Sequence, residues 1–192
     1  MLKIEKTPEP IFFQKVRENP KVRKWEDVPP EIKKELNQHI SEHEQLYNGI
    51  CLCPYCERKI KVKASHIEHI RPKSIFPSLT FSYNNLMVSC NDPNTCGHYK
   101  DHSWKDTFIN PVEDPVPCFH YSAEGKIREE DERVKDTVSI LNLNHSALVD
   151  IRRKMFIYMN CLSTGFIKEF DKYIDEFPSL IHYYLKSYNR EI

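Results

Sequence analysis

Between Cys53 and Cys96 the chain concentrates side chains from which a hydrolytic centre can be built. Ser65-His66-Ile67-Glu68-His69-Ile70-Arg71-Pro72-Lys73-Ser74 brings together two imidazoles, a carboxylate and two cations. Asn84-Asn85-Leu86 and Cys96-Gly97-His98-Tyr99-Lys100 follow. Phosphodiester hydrolysis needs a base for water, a cation on the phosphate oxygens, and a means of holding both in line. A neutral imidazole suits the first task, because its unperturbed pKa lies near working pH. A carboxylate plus an imidazole can hold one divalent ion and leave positions open for water and phosphate. Arg71, Lys73, Lys61 and Lys63 can steer and hold a polyanion.

The cysteines frame this segment. Seven occur, an odd number, and two of them form Cys53-Pro-Tyr-Cys56. Such a turn presents two thiolates to one Zn²⁺, and Cys90 with Cys96 would complete a closed, structural tetrahedron. The second pair has the longer spacer, which leaves Cys51 and His98 as rival ligands. Cys118 and Cys161 fall on apolar faces and read as small core residues.

The elements that must position these groups are short. Neighbours in a regular strand face opposite sides, so His66 and Glu68 would share a face while His69 turned away. Glu68 and His69 serve one phosphate only if the chain bends or bulges there; in a regular strand, His66 instead joins Glu68 as the metal pair. Pro72 restricts Arg71 and favours an early strand end. Upstream, residues 1–28 read as an irregular arm, and from Pro30 the apolar spacing of Ile32, Leu36, Ile40 and Leu46 or Tyr47 predicts a helix stopped by Gly49. His39 and His43, four apart, read as helix face. Downstream, residues 116–128 predict two short strands around Ala123-Glu124-Gly125. Asn144 is the expected N-cap of a helix carrying Leu148, Ile151, Met155, Met159 and Leu162 up to Gly165. Phe166, Ile167, Phe170, Ile174 and Phe177 predict another helix ended by Pro178, and a short aromatic helix over roughly 179–188 closes the chain.

Composition limits the function classes. The 28 Lys and Arg balance 28 Asp and Glu, so the protein is not basic all over, but the balance is global and not local. Residues 57–73 hold six cations against Glu57 and Glu68, while residues 101–136 hold ten acids against five bases. A basic face beside the histidines suits nucleic-acid backbone contacts. No apolar run approaches a membrane span. The start MLKIEKTPEP lacks a signal-peptide core, so a cytoplasmic location is expected.

Cys-x-x-Cys, Glu68-His69-Ile70-x-Pro72, Asn85-Leu86 before Cys90, and Cys96…His98-x-Lys100 together resemble the HNH endonucleases. The resemblance implies a ββα-metal core in which a hairpin and a helix clamp one catalytic Mg²⁺ or Mn²⁺. His69 then corresponds to the general base, Glu68 to the acidic metal ligand, Asn85 to the middle Asn, and His98 to the last ligand; Asn84 competes with Asn85, and His66 is an alternative ligand. SHIEHIRPKS, FSYNNLMVSC, CGHYK, NPVEDP and LNLN resemble, over roughly 45–155, the HNH subunit of Septu-type and retron-associated anti-phage defence, which works with an ATPase. Many HNH proteins carry Gly-Gly after the base, where this chain has SIFPSLTF.

The expected fold is therefore α+β and mostly helical: an N-terminal arm and helix (1–49), a zinc-stapled HNH core (50–112), and a small hairpin with a helical C-terminal region (113–192). The expected function is metal-dependent cleavage of nucleic acid, with DNA as substrate and an ATPase as partner. The competing reading is a non-catalytic zinc module that binds nucleic acid or protein. His102 reads as a surface histidine.

Overall fold

The computed structural model describes residues 1–61, 64–114, 116–117, 119–162 and 175–187. The N-terminal arm is more ordered than its prolines suggest. Pro10 precedes a helix, α1 (Ile11–Arg17), and a 3-10 turn follows at Trp25–Asp27. Proline's fixed φ costs nothing at a helix start, so it marks the beginning of α1 rather than irregular chain. Helix α2 spans Pro30–His43 and buries Leu36 and Ile40. It stops before the expected end because Leu46–Tyr47 (β1) and Ile50–Cys51 (β2) fold back as a hairpin around Asn48 and Gly49, both with positive φ. Leu46 is consequently exposed rather than part of the helix face.

A second two-stranded sheet carries the chemistry. β3 (Ser65–His69) runs antiparallel to β4 (Leu86–Cys90), with Ser65 opposite Cys90 and His69 opposite Leu86. The register is unbroken across all five pairs, so no bulge occurs and the strand alternates regularly. Helix α3 (Cys96–Lys100) packs on β4 and completes a ββα unit, while α2 covers the sheet. Buried Gln45 docks the hairpin onto this sheet, donating to the Leu52 and Val88 carbonyls and accepting from Val88 N–H. The architecture is α+β, as expected.

The C-terminal part contains a helix absent from the sequence reading. α4 (Glu132–Leu141) is capped by Asp131, whose carboxylate accepts from Val134 N–H at 2.8 Å, and Asn142 ends it in a left-handed conformation. Val134, Val138 and Leu141 form its buried stripe, and Asp136 is buried with them, paired to Lys105 and Thr107. Around Gly125 the expected hairpin reduces to a Tyr121–Ile127 bridge. Asn144 serves that bridge, accepting from Ile127 N–H and donating to its carbonyl, while His145 caps α5 (Ser146–Cys161). Pro178 begins α6 (Pro178–Ser187) instead of ending a helix. Cys161 is exposed, not core. Cys118, Gly165 and most of the helix expected over 166–177 lie outside the described residues. Among the described residues, no helix is long and apolar enough to cross a membrane.

Candidate active site

The four framing cysteines converge. One sulfur from each of Cys53, Cys56, Cys90 and Cys96 lies within 4.8 Å of all the others. Cys56 Sγ and Cys90 Sγ are 3.9 Å apart, close to the edge of about 3.8 Å that Zn–S bonds of about 2.3 Å impose on a tetrahedron. Burial opposes ionisation of Cys53, yet hydrogen bonds from Cys56, Cys90 and Cys96 outweigh it and hold that thiol well below its usual pKa. Hydrogen bonding to Cys53 pushes the Cys56 thiol up and burial pushes that of Cys96 up, so a bound Zn²⁺ would supply the charge that lets all four ionise. Cys96 takes a positive φ, which lets the five-residue spacer fold back on Cys90. Cys51 stands outside the cluster, and burial raises its pKa. His98 also faces elsewhere.

Regular alternation puts His66 and Glu68 on one face of β3, where α3 passes against them. His66 Nε2 lies 3.5 Å from Glu68 Oε2. The rings of His66 and His98 have centroids 4.1 Å apart. Exposed Asn91 joins them: its Oδ1 lies 3.0 Å from His66 Nδ1 and 3.2 Å from His98 Nε2. Gly97 permits this approach, since a Cβ there would sit 2.7 Å from both Glu68 Oε2 and His66 Nε2. Burial pulls the His66 pKa down, but Glu68 and Asn91 more than reverse it. Burial and then His66 depress that of His98. The three donors do not close to the spacing of the four sulfurs.

His69 leaves the opposite face of the strand, as regular pleating requires, yet it lines the same cleft of about 440 Å³ as His66, Glu68 and His98. The sheet has only two strands, so β3 keeps an open edge and groups from both faces reach one opening. His69 Nε2 lies 3.0 Å from the Thr80 carbonyl. A carbonyl only accepts, so Nε2 carries the proton and Nδ1 keeps a free lone pair. Trp25 meets the ring edge-on at 4.6 Å. Burial lowers the His69 pKa below the usual value, partly offset by Thr80 and Glu68. The imidazole is therefore held neutral.

Asn85, not exposed Asn84, braces the chain after His69. Its amide accepts from Arg71 N–H at 2.8 Å and donates to the carbonyls of Arg71 and Leu79. Lys73 borders the cleft and pairs with Glu26 at 2.5 Å; Arg71 pairs with Glu113 at 2.7 Å. Lys61 is not brought to this cleft: it lines a neighbouring groove of about 540 Å³ with Arg58 and Asn91. Lys63 lies outside the described residues. His102 borders the cleft but is exposed and bonded to Asp101. His39 and His43 stack on α2, away from the cleft.

Three neighbours escaped the sequence reading as site residues. Trp25 comes from a distant turn and carries no local signal. Asn91 sits one residue past Cys90. Lys100 was visible in the CGHYK block, but its burial against Glu68 was not.

Residues 53–100 match the family model described as HNH endonuclease. The chain is also 36% identical over 121 residues to a protein of Vibrio cholerae serotype O1 biovar El Tor named "Retron Vc95 putative HNH endonuclease". That match covers 54% of this chain and 57% of the relative, so the chain spans little more than half of the relative's length.

Proposed function

We propose that this chain, whose residues 53–100 form an HNH endonuclease domain, hydrolyses phosphodiester bonds of nucleic acid, with DNA as the substrate. The observation that carries the proposal is a neutral, proton-accepting His69 sharing one cleft with Glu68, His66 and His98. His69 Nδ1 takes the proton of the attacking water, and Thr80 fixes the tautomer that makes this possible. Asn85 holds the turn on which that ring depends. Arg71 and Lys73 position the phosphate backbone.

Glu68 Oε2, His66 and His98 would hold a divalent ion there, whose charge stabilises the pentavalent phosphate and the leaving oxygen. The close approach of Glu68 Oε2 and His66 Nε2 over Gly97, where a side chain would clash with both, and the mixed carboxylate–imidazole donors fit such an ion. A carboxylate with positions left for water suits Mg²⁺ or Mn²⁺. His66 thus enters the donor set alongside the expected Glu68 and His98. The four converging cysteines would hold a structural Zn²⁺, which would tie the Cys53–Cys56 turn to β4 and α3.

The resemblance to defence-associated HNH subunits, and the retron name of the Vibrio relative, support a role as the effector of an anti-phage complex with an ATPase. Incubation of supercoiled plasmid with the purified protein tests the activity. Nicking with Mn²⁺ that EDTA abolishes is expected; retention of DNA without cleavage would favour the non-catalytic zinc module.

A further inference from the structure

Lys100 is among the largest side chains with no solvent exposure, at 0%. Lysine is almost never buried without a partner that its charge serves. Its Nζ donates to Glu68 Oε1 at 2.7 Å and to the His69 carbonyl at 3.1 Å. One ammonium therefore holds the acidic side chain of the site and the backbone of its base. The other carboxylate oxygen, Oε2, is left facing His66 and the space above Gly97.

We propose that Lys100 is a positioning residue of the active site: it captures Glu68 Oε1 so that Oε2 alone is offered to the divalent ion, and it anchors the strand end that carries His69. The inference rests on the nuclease reading above. A bare carboxylate on two free torsions could bind an ion through either oxygen or both, or turn wholly to His66. An ammonium on Oε1 removes those options, and its three N–H groups allow the same atom to reach the His69 carbonyl. The pair also explains why Glu68 tolerates its own burial, since a buried carboxylate without a cation is strongly disfavoured.

The substitutions Lys100→Met, Lys100→Gln and Lys100→Arg separate positioning from mere charge balance. Arginine keeps the charge, but its fork can take both carboxylate oxygens. Mn²⁺ binding to the zinc-loaded protein is read by the loss of the free-Mn²⁺ electron paramagnetic resonance signal, alongside zinc content and Tm. Every variant that retains zinc should bind Mn²⁺ at least about tenfold more weakly, the range seen when partners of metal ligands are removed. Lys100→Arg should do so although its charge is intact. A zinc-loaded variant with wild-type Mn²⁺ affinity overturns the assignment. So does failure of all three to retain zinc, which would make Lys100 a structural pillar. If the wild-type protein neither binds Mn²⁺ nor nicks plasmid, the nuclease reading itself falls. If it does both and the variants match it, only the role of Lys100 falls.

Discussion

The Asn85 side chain clamps Arg71 at both of its backbone groups, accepting from the N–H at 2.8 Å and donating to the carbonyl at 3.0 Å. With the Asn85 carbonyl accepting from Ile70 N–H, this continues the β3–β4 ladder past His69 by means of a side chain. Asn85→Ala would leave the Arg71 N–H and two carbonyls unmatched, at about 1–3 kcal/mol for each group that water cannot reach. The variant should lower Tm by several degrees and slow plasmid nicking more than tenfold, with zinc content unchanged. Wild-type nicking would show that the clamp does not position the base.

Trp25 packs edge-on against His69, whose burial depresses the imidazole pKa. A lowered pKa keeps His69 neutral to lower pH, so the acid limb of kcat/KM should lie below the ordinary value of about 6.5. Trp25→Ala readmits water and should move that limb upward toward 6.5. A pH–rate profile checks both the position and the direction; an unmoved limb would remove Trp25 from the account.

Lys73 at the cleft and Arg71 beside it are already engaged, by Glu26 and Glu113 respectively. Both pairs are substantially exposed and screened by solvent, so each is weak. Replacing both acids by glutamine should tighten DNA binding about two- to tenfold at low salt, measured by fluorescence anisotropy, and the gain should shrink as salt rises. Unchanged affinity would place the substrate elsewhere.

Zinc content distinguishes the cysteines. Cys90→Ala should lose the metal and unfold the ββα unit, since binding energy at such a site is folding energy. Cys51→Ala should retain about one zinc per chain. Native mass spectrometry reads both, and loss of zinc from Cys51→Ala would return it to the ligand set.

The site was legible in the sequence wherever its chemistry lay close together along the chain. Cys-x-x-Cys and the His66–Lys73 segment are local signals, and strand alternation alone put His66 beside Glu68 and turned His69 away. What could not be read was how two faces of one strand reach a single cleft. The alternation of a regular strand points to a bend or bulge, and the cleft at the open edge of the two-stranded β3–β4 sheet collects both faces without one. Trp25 reaches His69 through tertiary packing with no periodic signature. Helix α4 is legible in principle, from Asp131 as cap and Val134, Val138 and Leu141 as stripe, but the acidic excess of 101–136 masks that pattern. Pro10 and Pro178 mark helix starts, because a proline costs nothing where the first N–H has no partner.

Plasmid nicking by His69→Ala against the wild-type protein, in Mn²⁺ and with zinc content measured on the same samples, tests the central claim most directly. Removing the base should slow nicking by about 10²–10⁴-fold while leaving the four-cysteine zinc in place. A zinc-loaded His69→Ala protein that nicks at the wild-type rate would contradict the assignment of His69 and the mechanism built on it.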